Sequence, residues 1–190
     1  MARTLTLPKK GTGLWNEGWH TVTITKAEYG TLDNGSKYID VWFNGYPDNF
    51  NMRVYAKTNK DGEEFAIGNL FRFADAGISD ALESAEGETI IKMNDEASEL
   101  IDKTVNTYFY KDGKFTRILG QVAPVPFKNI VEEFNSQDVD YWKSRAESFF
   151  DKWVKPKLTT STRDVDGEAS MDELISASQE QAELTKDMPF

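Results

Sequence analysis

The sequence predicts a mainly β fold: a small five-stranded Greek-key barrel with one helix between strands three and four, then a C-terminal helix and a flexible acidic tail. Three observations carry that expectation. Short segments rich in β-branched and aromatic residues recur between clusters of turn formers, and one apolar stretch with helical spacing interrupts them. From residue 159 onward the chain is polar and acidic, without the apolar content a packed core requires.

The elements follow in order. "WHTVTITKAEY" (19–29), "KYIDVWF" (37–43) and "NMRVYAK" (51–57) read as strands, and the "GTLDNGS" and "NGYPDNF" between them read as turns, so the three form a meander. "EEFAIGNLFRFADAG" (63–77) sets Phe65, Ile67, Leu70, Phe71 and Ala74 on one helical face, with Gly77 as the expected C-terminal cap. Residues 80–102 are expected to supply an acidic surface loop and helix, with "ETIIKM" (88–93) as a strand. "KTVNTYFY" (103–110) and "KFTRILGQV" (114–122) form a hairpin about "KDG". Three strands, a helix and then two or three more strands is the order that an OB-fold barrel needs. Residues 1–125 are therefore the expected OB-fold domain.

Residues 126–158 are the expected C-terminal helical extension. Val139, Trp142, Ala146, Phe149, Phe150 and Trp153 share one side of a helix over 139–154, with Asp138 as its N-cap and Pro156 as its stop. That side is expected to pack on the barrel, the alternative being a homodimer contact. Residues 159–190 are the expected tail, in which Ser170 and Glu173 form a capping-box pattern ahead of a marginal helix.

Composition narrows the chemistry. The 190 residues contain no cysteine and one histidine, His20, which removes disulfides, thiolate metal sites and nearly all Ser-His or Cys-His catalysis. No enzyme activity, metal or cofactor is expected. No apolar run is long enough to cross a bilayer and the N-terminus lacks the apolar centre of a secretory signal, so the expected location is cytosolic, without membrane partners. The net charge of −10 is local. Residues 80–102 carry one Lys+Arg against eight Asp+Glu, a balance of −7, and residues 161–190 carry two against eight, −6. Residues 1–79 balance at nine each, and residues 103–160 carry ten against seven, +3. A cationic face on an acidic protein is thus permitted.

Strand alternation defines the candidate interface. Ile39, Val41 and Phe43 are expected inward with Tyr38, Asp40 and Trp42 outward; Met52, Val54 and Ala56 inward with Arg53, Tyr55 and Lys57 outward. Val105, Thr107 and Phe109 oppose Asn106, Tyr108 and Tyr110, while Lys111, Lys114 and Arg117 lie in the adjoining hairpin. Rings interleaved with cations suit single-stranded nucleic acid, since rings take unpaired bases at about 1–3 kcal/mol per stack and cations take phosphates. The candidate DNA-binding set is Tyr38, Trp42, Arg53, Tyr55, Lys57, Tyr108, Tyr110, Lys111, Lys114 and Arg117. Each ring taken alone is equally at home as an ordinary strand former. "GTLDNGSK" (30–37) has phosphate-loop glycine spacing, but Ser36 precedes Lys37, and its composition is that of a turn. Asp48 with Asp112 makes a poor carboxylate nuclease signature. A metal nuclease and an acidic module that mimics DNA are the rival readings.

The segments "GLWNEGWHTVTITKAEYG", "GSKYIDVWF", "RVYAKT", "EEFAIGNLFRFADAGI" and "VNTYFYKDGKFTRIL" resemble bacteriophage single-stranded DNA-binding proteins of the OB-fold type, over about residues 11–122. The terminal "DMPF", Asp187, Met188, Pro189 and Phe190, is similar to the Asp-Ile-Pro-Phe tip of bacterial single-stranded DNA-binding proteins, with Met188 for isoleucine and Lys186 where acid usually stands. The resemblance implies a protein of the infected bacterial cytoplasm that coats single strands in replication, recombination or repair. It also implies that the tip recruits partners such as a polymerase or primase-helicase, while upstream acid competes with DNA for the cationic groove.

Overall fold

The computed structural model describes residues 15–83, 87 and 89–160. The fold is mainly β, as expected, with a C-terminal helix. A five-stranded antiparallel sheet is formed by β1 (Gly18–Thr31), β2 (Lys37–Phe43), β3 (Met52–Tyr55), β6 (Thr104–Asp112) and β7 (Phe115–Ala123), in the order β3-β2-β1-β6-β7. β1 is central because it is long enough to serve two partners. Gly18 through Thr23 pair with β6, and Ile24 through Thr31 pair with β2. The change of partner coincides with a bulge between Ile24 and Lys26, where an unpaired residue bends the strand. The outer strands β3 and β7 share no ladder, yet they approach closely. A Cβ on Gly120 would lie 2.6 Å from the backbone carbonyl oxygen of Arg53, so only glycine fits there.

The interior follows the expected alternation. Ile39, Val41, Phe43, Met52, Val54, Val105, Thr107 and Phe109 are all buried, together with Ile24, Leu70, Phe71 and Leu100. The exceptions are Asp40 and Asn106, both expected outward but buried: the Asp40 carboxylate accepts from Arg53, while the Asn106 amide donates to the Pro124 carbonyl and its oxygen accepts from Thr21. A buried amide persists because both ends find partners.

Helix α1 (Ala66–Phe73) lies where helical spacing predicted it and buries Ile67, Leu70, Phe71 and Phe73. Its cap differs from the expectation. Asp75, at φ 50°, takes the left-handed position: its N–H donates to Arg72 O and that of Ala76 to Phe71 O, the two bonds of a Schellman close. Gly77 instead opens the next strand at φ 64°, where a Cβ would collide with Asn94 O. At the other end the Glu64 carboxylate accepts from the backbone N–H groups of Lys57, Ala66, Ile67 and Gly68, which satisfies donors the first helical turn leaves free.

The strand expected over 88–93 is present, but the rest of the acidic segment 80–102 is not the expected loop and helix. β4 (Ile78–Glu83) and β5 (Thr89–Met93) form a separate two-stranded hairpin, followed by a 3-10 turn at Ala97–Leu100. Leu82 pairs across the hairpin with Ile90, and Ala81 with Ile91.

A short hairpin of β8 (Phe127–Lys128) and β9 (Glu133–Phe134) precedes helix α2 (Ser136–Phe149). The helix begins earlier than expected because Asn135 is the N-cap, and Asp138 completes a capping box by accepting from the Asn135 N–H. Asn135→Ala should therefore lower stability by about 1 kcal/mol, read as a shift in the urea midpoint with unchanged slope. Pro156 does not stop the chain's helical run. A π-helical turn (Phe150–Val154) widens the spiral just before α3 (Lys155–Thr160), accommodating a ring that has no N–H and presses on the preceding turn. Among the described residues no helix is long and apolar enough to cross a membrane.

Candidate nucleic-acid interface

Cross-strand register builds one patch on the outer sheet face. Tyr38 stands directly opposite Tyr55 and Gly30, Asp40 opposite Arg53 and Glu28, and Trp42 opposite Lys26. Each row thus crosses from β3 or β2 to β1. The Tyr38 side chain covers Gly30, where any Cβ would collide with its ring. Tyr38 and Tyr55 meet edge to face at 6.1 Å, and both rings are half-buried.

The cations of this patch sit over the rings. The Arg53 guanidinium lies 3.8 Å from the Tyr38 centroid, and the Lys26 ammonium 4.4 Å from that of Trp42. Each is also held by a carboxylate. Arg53 donates to both oxygens of Asp40 at 2.8 and 2.7 Å, and Lys26 lies 2.9 Å from Glu28. The Asp40 hydrogen bonds push the Arg53 guanidinium further above its usual range. Trp42 is oriented by its indole N–H, which donates to Asp48 O at 2.8 Å. Asp48 belongs to the β2–β3 connection, in which Tyr46 and Phe50 pack on Trp15 and Phe109. Asp48 therefore has a structural part here, through its backbone.

The remaining candidates separate into two groups. Tyr108 and Tyr110 share the outer face with Trp19 and Leu119, but the C-terminal helix covers them: Phe150 packs on both rings, and Ala146, Phe149 and Trp153 complete a second small core. Burial raises both phenols above their usual pKa, Tyr108 with a further push from Glu147. Trp19 is tied to the same helix by donating to Glu147. Lys57 points to this core as well, with its ammonium 5.1 Å from the Phe149 ring and burial lowering its pKa.

The hairpin group lies at the β6–β7 turn. Gly113 at φ 60° occupies the first central position of a two-residue turn, the geometry in which glycine matches strand twist. Lys111 is turned to the sheet end, donating to Trp15 O and Thr116. Lys114 and Arg117 flank Phe115, with their charges 5.5 and 5.8 Å from its ring, and Arg117 also pairs with Asp112 at 3.2 Å. Trp15 joins this end of the sheet to the β2–β3 connection through its ring contacts and its carbonyl.

No protein-family model matches this chain, and neither does any curated protein or solved structure.

Sequence reasoning passed over Lys26, Glu28, Gly30 and Phe115. Lys26, Glu28 and Gly30 share a period-two alternation in "TKAEYG" that marks them as one face. Phe115 follows a glycine turn and is among the most exposed apolar side chains described, at 56 %. An aromatic residue beside two cations at a hairpin tip was the available signal. The tip residues Asp187, Met188, Pro189 and Phe190, and the Ser170–Glu173 pattern, lie outside the described residues.

Proposed function

We propose that this protein binds single-stranded DNA without strong sequence preference, with bases stacking on Tyr38, Trp42 and Tyr55 and phosphates meeting Lys26, Arg53, Lys114 and Arg117. The observation that carries the reading is the open patch on β1, β2 and β3, where rings and cations alternate across adjacent strands and none of the described helices covers them. Flat rings and neighbouring cations are what unpaired nucleotides require, because every base offers a π face and every link a negative charge.

We further infer that the sheet is the Greek-key barrel of the OB type. The strand order β3-β2-β1-β6-β7, the helix that follows β3, and the approach of Gly120 to the Arg53 carbonyl support it. The β4–β5 hairpin is then an insertion between helix and fourth barrel strand. In this reading the protein coats DNA during phage replication, recombination or repair in the cytoplasm of the infected host. It has no catalytic role or cofactor, and residues 187–190 recruit partners such as a polymerase or primase-helicase.

Titration with oligo-dT, followed by tryptophan fluorescence, tests the reading directly, since the chain has five tryptophans and Trp42 lies in the patch. Affinity should fall with salt by about 0.7 in log-log slope per phosphate neutralised. A duplex of equal length should bind far more weakly, because paired bases present no free face. Equal affinity for duplex, or no binding at low salt, removes the assignment.

A further inference from the structure

One arrangement recurs on the outer face: a ring, a cation lying over it, and a carboxylate holding that cation. Trp42, Lys26 and Glu28 form the first set, with the ammonium 4.4 Å from the ring centroid and 2.9 Å from the carboxylate. Tyr38, Arg53 and Asp40 form the second, at 3.8 Å and 2.7 Å. Phe115, Arg117 and Asp112 form the third, at 5.8 Å and 3.2 Å, with Lys114 over the same ring. The three carboxylates come from three different strands, β1, β2 and β6, yet each meets a cation of the candidate interface.

A carboxylate and a phosphodiester present the same feature to a cation, a pair of anionic oxygens that accept charge-assisted hydrogen bonds. While the cation is held by its carboxylate it also lies over a ring, which for Tyr38 and Trp42 is where a base would stack. A phosphate that draws the cation away exposes the ring at the same time. We propose that Glu28, Asp40 and Asp112 are built-in competitors of nucleic-acid phosphate, each holding an interface cation over its ring until a strand displaces it. The proposal deepens the single-strand reading above and rests on it.

Two consequences distinguish this from ordinary surface ion pairs. Every phosphate contact costs a protein ion pair, so the parent protein binds less tightly than its cations alone would allow. Carboxylates left behind beside the bound phosphates add repulsion, which screening by salt relieves, so the salt dependence of the parent is shallower than its number of phosphate contacts implies. Replacing a competitor by its carboxamide should tighten binding and steepen the slope together.

The test uses the full chain with Glu28→Gln, Asp112→Asn and the double variant, titrated with fluorescein-labelled oligo-dT at several salt concentrations. Both side chains are substantially exposed, 58 % and 36 %, so the near-isosteric carboxamides leave the fold in place. Glu133→Gln is the control, because Glu133 pairs with Lys128 in the β8–β9 hairpin and removes the same charge with no candidate interface ring involved. Each single variant should bind roughly two- to five-fold tighter at low salt, the worth of an exposed ion pair expressed as affinity. The double variant should gain about the product, with a steeper slope. Unchanged or weaker affinity in the variants of a parent that binds overturns the inference alone, as does an equal gain from Glu133→Gln. Failure of parent and variants alike to bind overturns the single-strand reading and this inference with it.

Discussion

Trp42→Ala and Tyr55→Ala should each weaken oligo-dT binding by about 1–3 kcal/mol, roughly 5- to 150-fold. Both rings lie on the part of the sheet face that none of the described helices covers. Tyr55 sits directly opposite Tyr38, and Trp42 is held in place by its hydrogen bond to Asp48 O. Truncation removes a stacking surface and leaves the phosphate contacts, so the salt slope should stay nearly constant. Fluorescence anisotropy of a labelled oligonucleotide is the suitable readout, because Trp42→Ala alters the intrinsic signal. Tyr110→Ala supplies the contrast. Its ring packs 5.1 Å from Phe150 under the C-terminal helix, so its loss should lower stability and leave affinity almost unchanged. An affinity loss for Tyr110→Ala equal to that for Trp42→Ala would mean that the strand binds where the helix now lies.

Phe109→Ala should destabilise the fold by about 3–5 kcal/mol, measured by urea denaturation. The side chain is fully buried, with His20 stacked at 4.1 Å and Tyr46 and Phe50 edge-on at 5.5 and 5.2 Å. These aromatic groups come from β1 and from the β2–β3 connection, so no small shift of one of them closes the void. The same connection holds Asp48, whose carbonyl orients Trp42. A change at the end of the interior thereby reaches the candidate interface. Phe109→Leu, which keeps most of the volume, should recover much of the loss.

Period-two alternation makes the interior legible in the sequence: Ile39, Val41 and Phe43 inward, then Met52 and Val54, then Val105 and Phe109, all buried in the fold. Helical spacing likewise locates α1 and the apolar side of α2, and glycine-containing turns locate the hairpins. These features are local. A side chain two residues along a strand returns to the same face, and one three or four along a helix does too, whatever the rest of the chain does. The boundaries are less legible, because a cap depends on which group reaches the free N–H or carbonyl. Asn135 outcompetes Asp138 for the N-cap of α2, and Asp75 takes the left-handed position expected of Gly77.

What the sequence by itself determined was the outer side of β2, β3 and β6, apart from Asp40 and Asn106, which are buried. Which part of that side stays open was decided by the tertiary structure. Tyr38 and Tyr110 carry the same ring on the same outer face, and alternation treats them alike. The C-terminal helix, separated from both in sequence, lies on Tyr108, Tyr110 and Lys57 and leaves Tyr38, Trp42 and Tyr55 uncovered. The state of each cation is equally non-local. Arg53 meets Asp40 only because β2 and β3 pair in one register, and a shift of β3 by one residue would send Arg53 to the face opposite Asp40. Register and long-range packing are properties of the whole chain's free energy, so no window of sequence contains them.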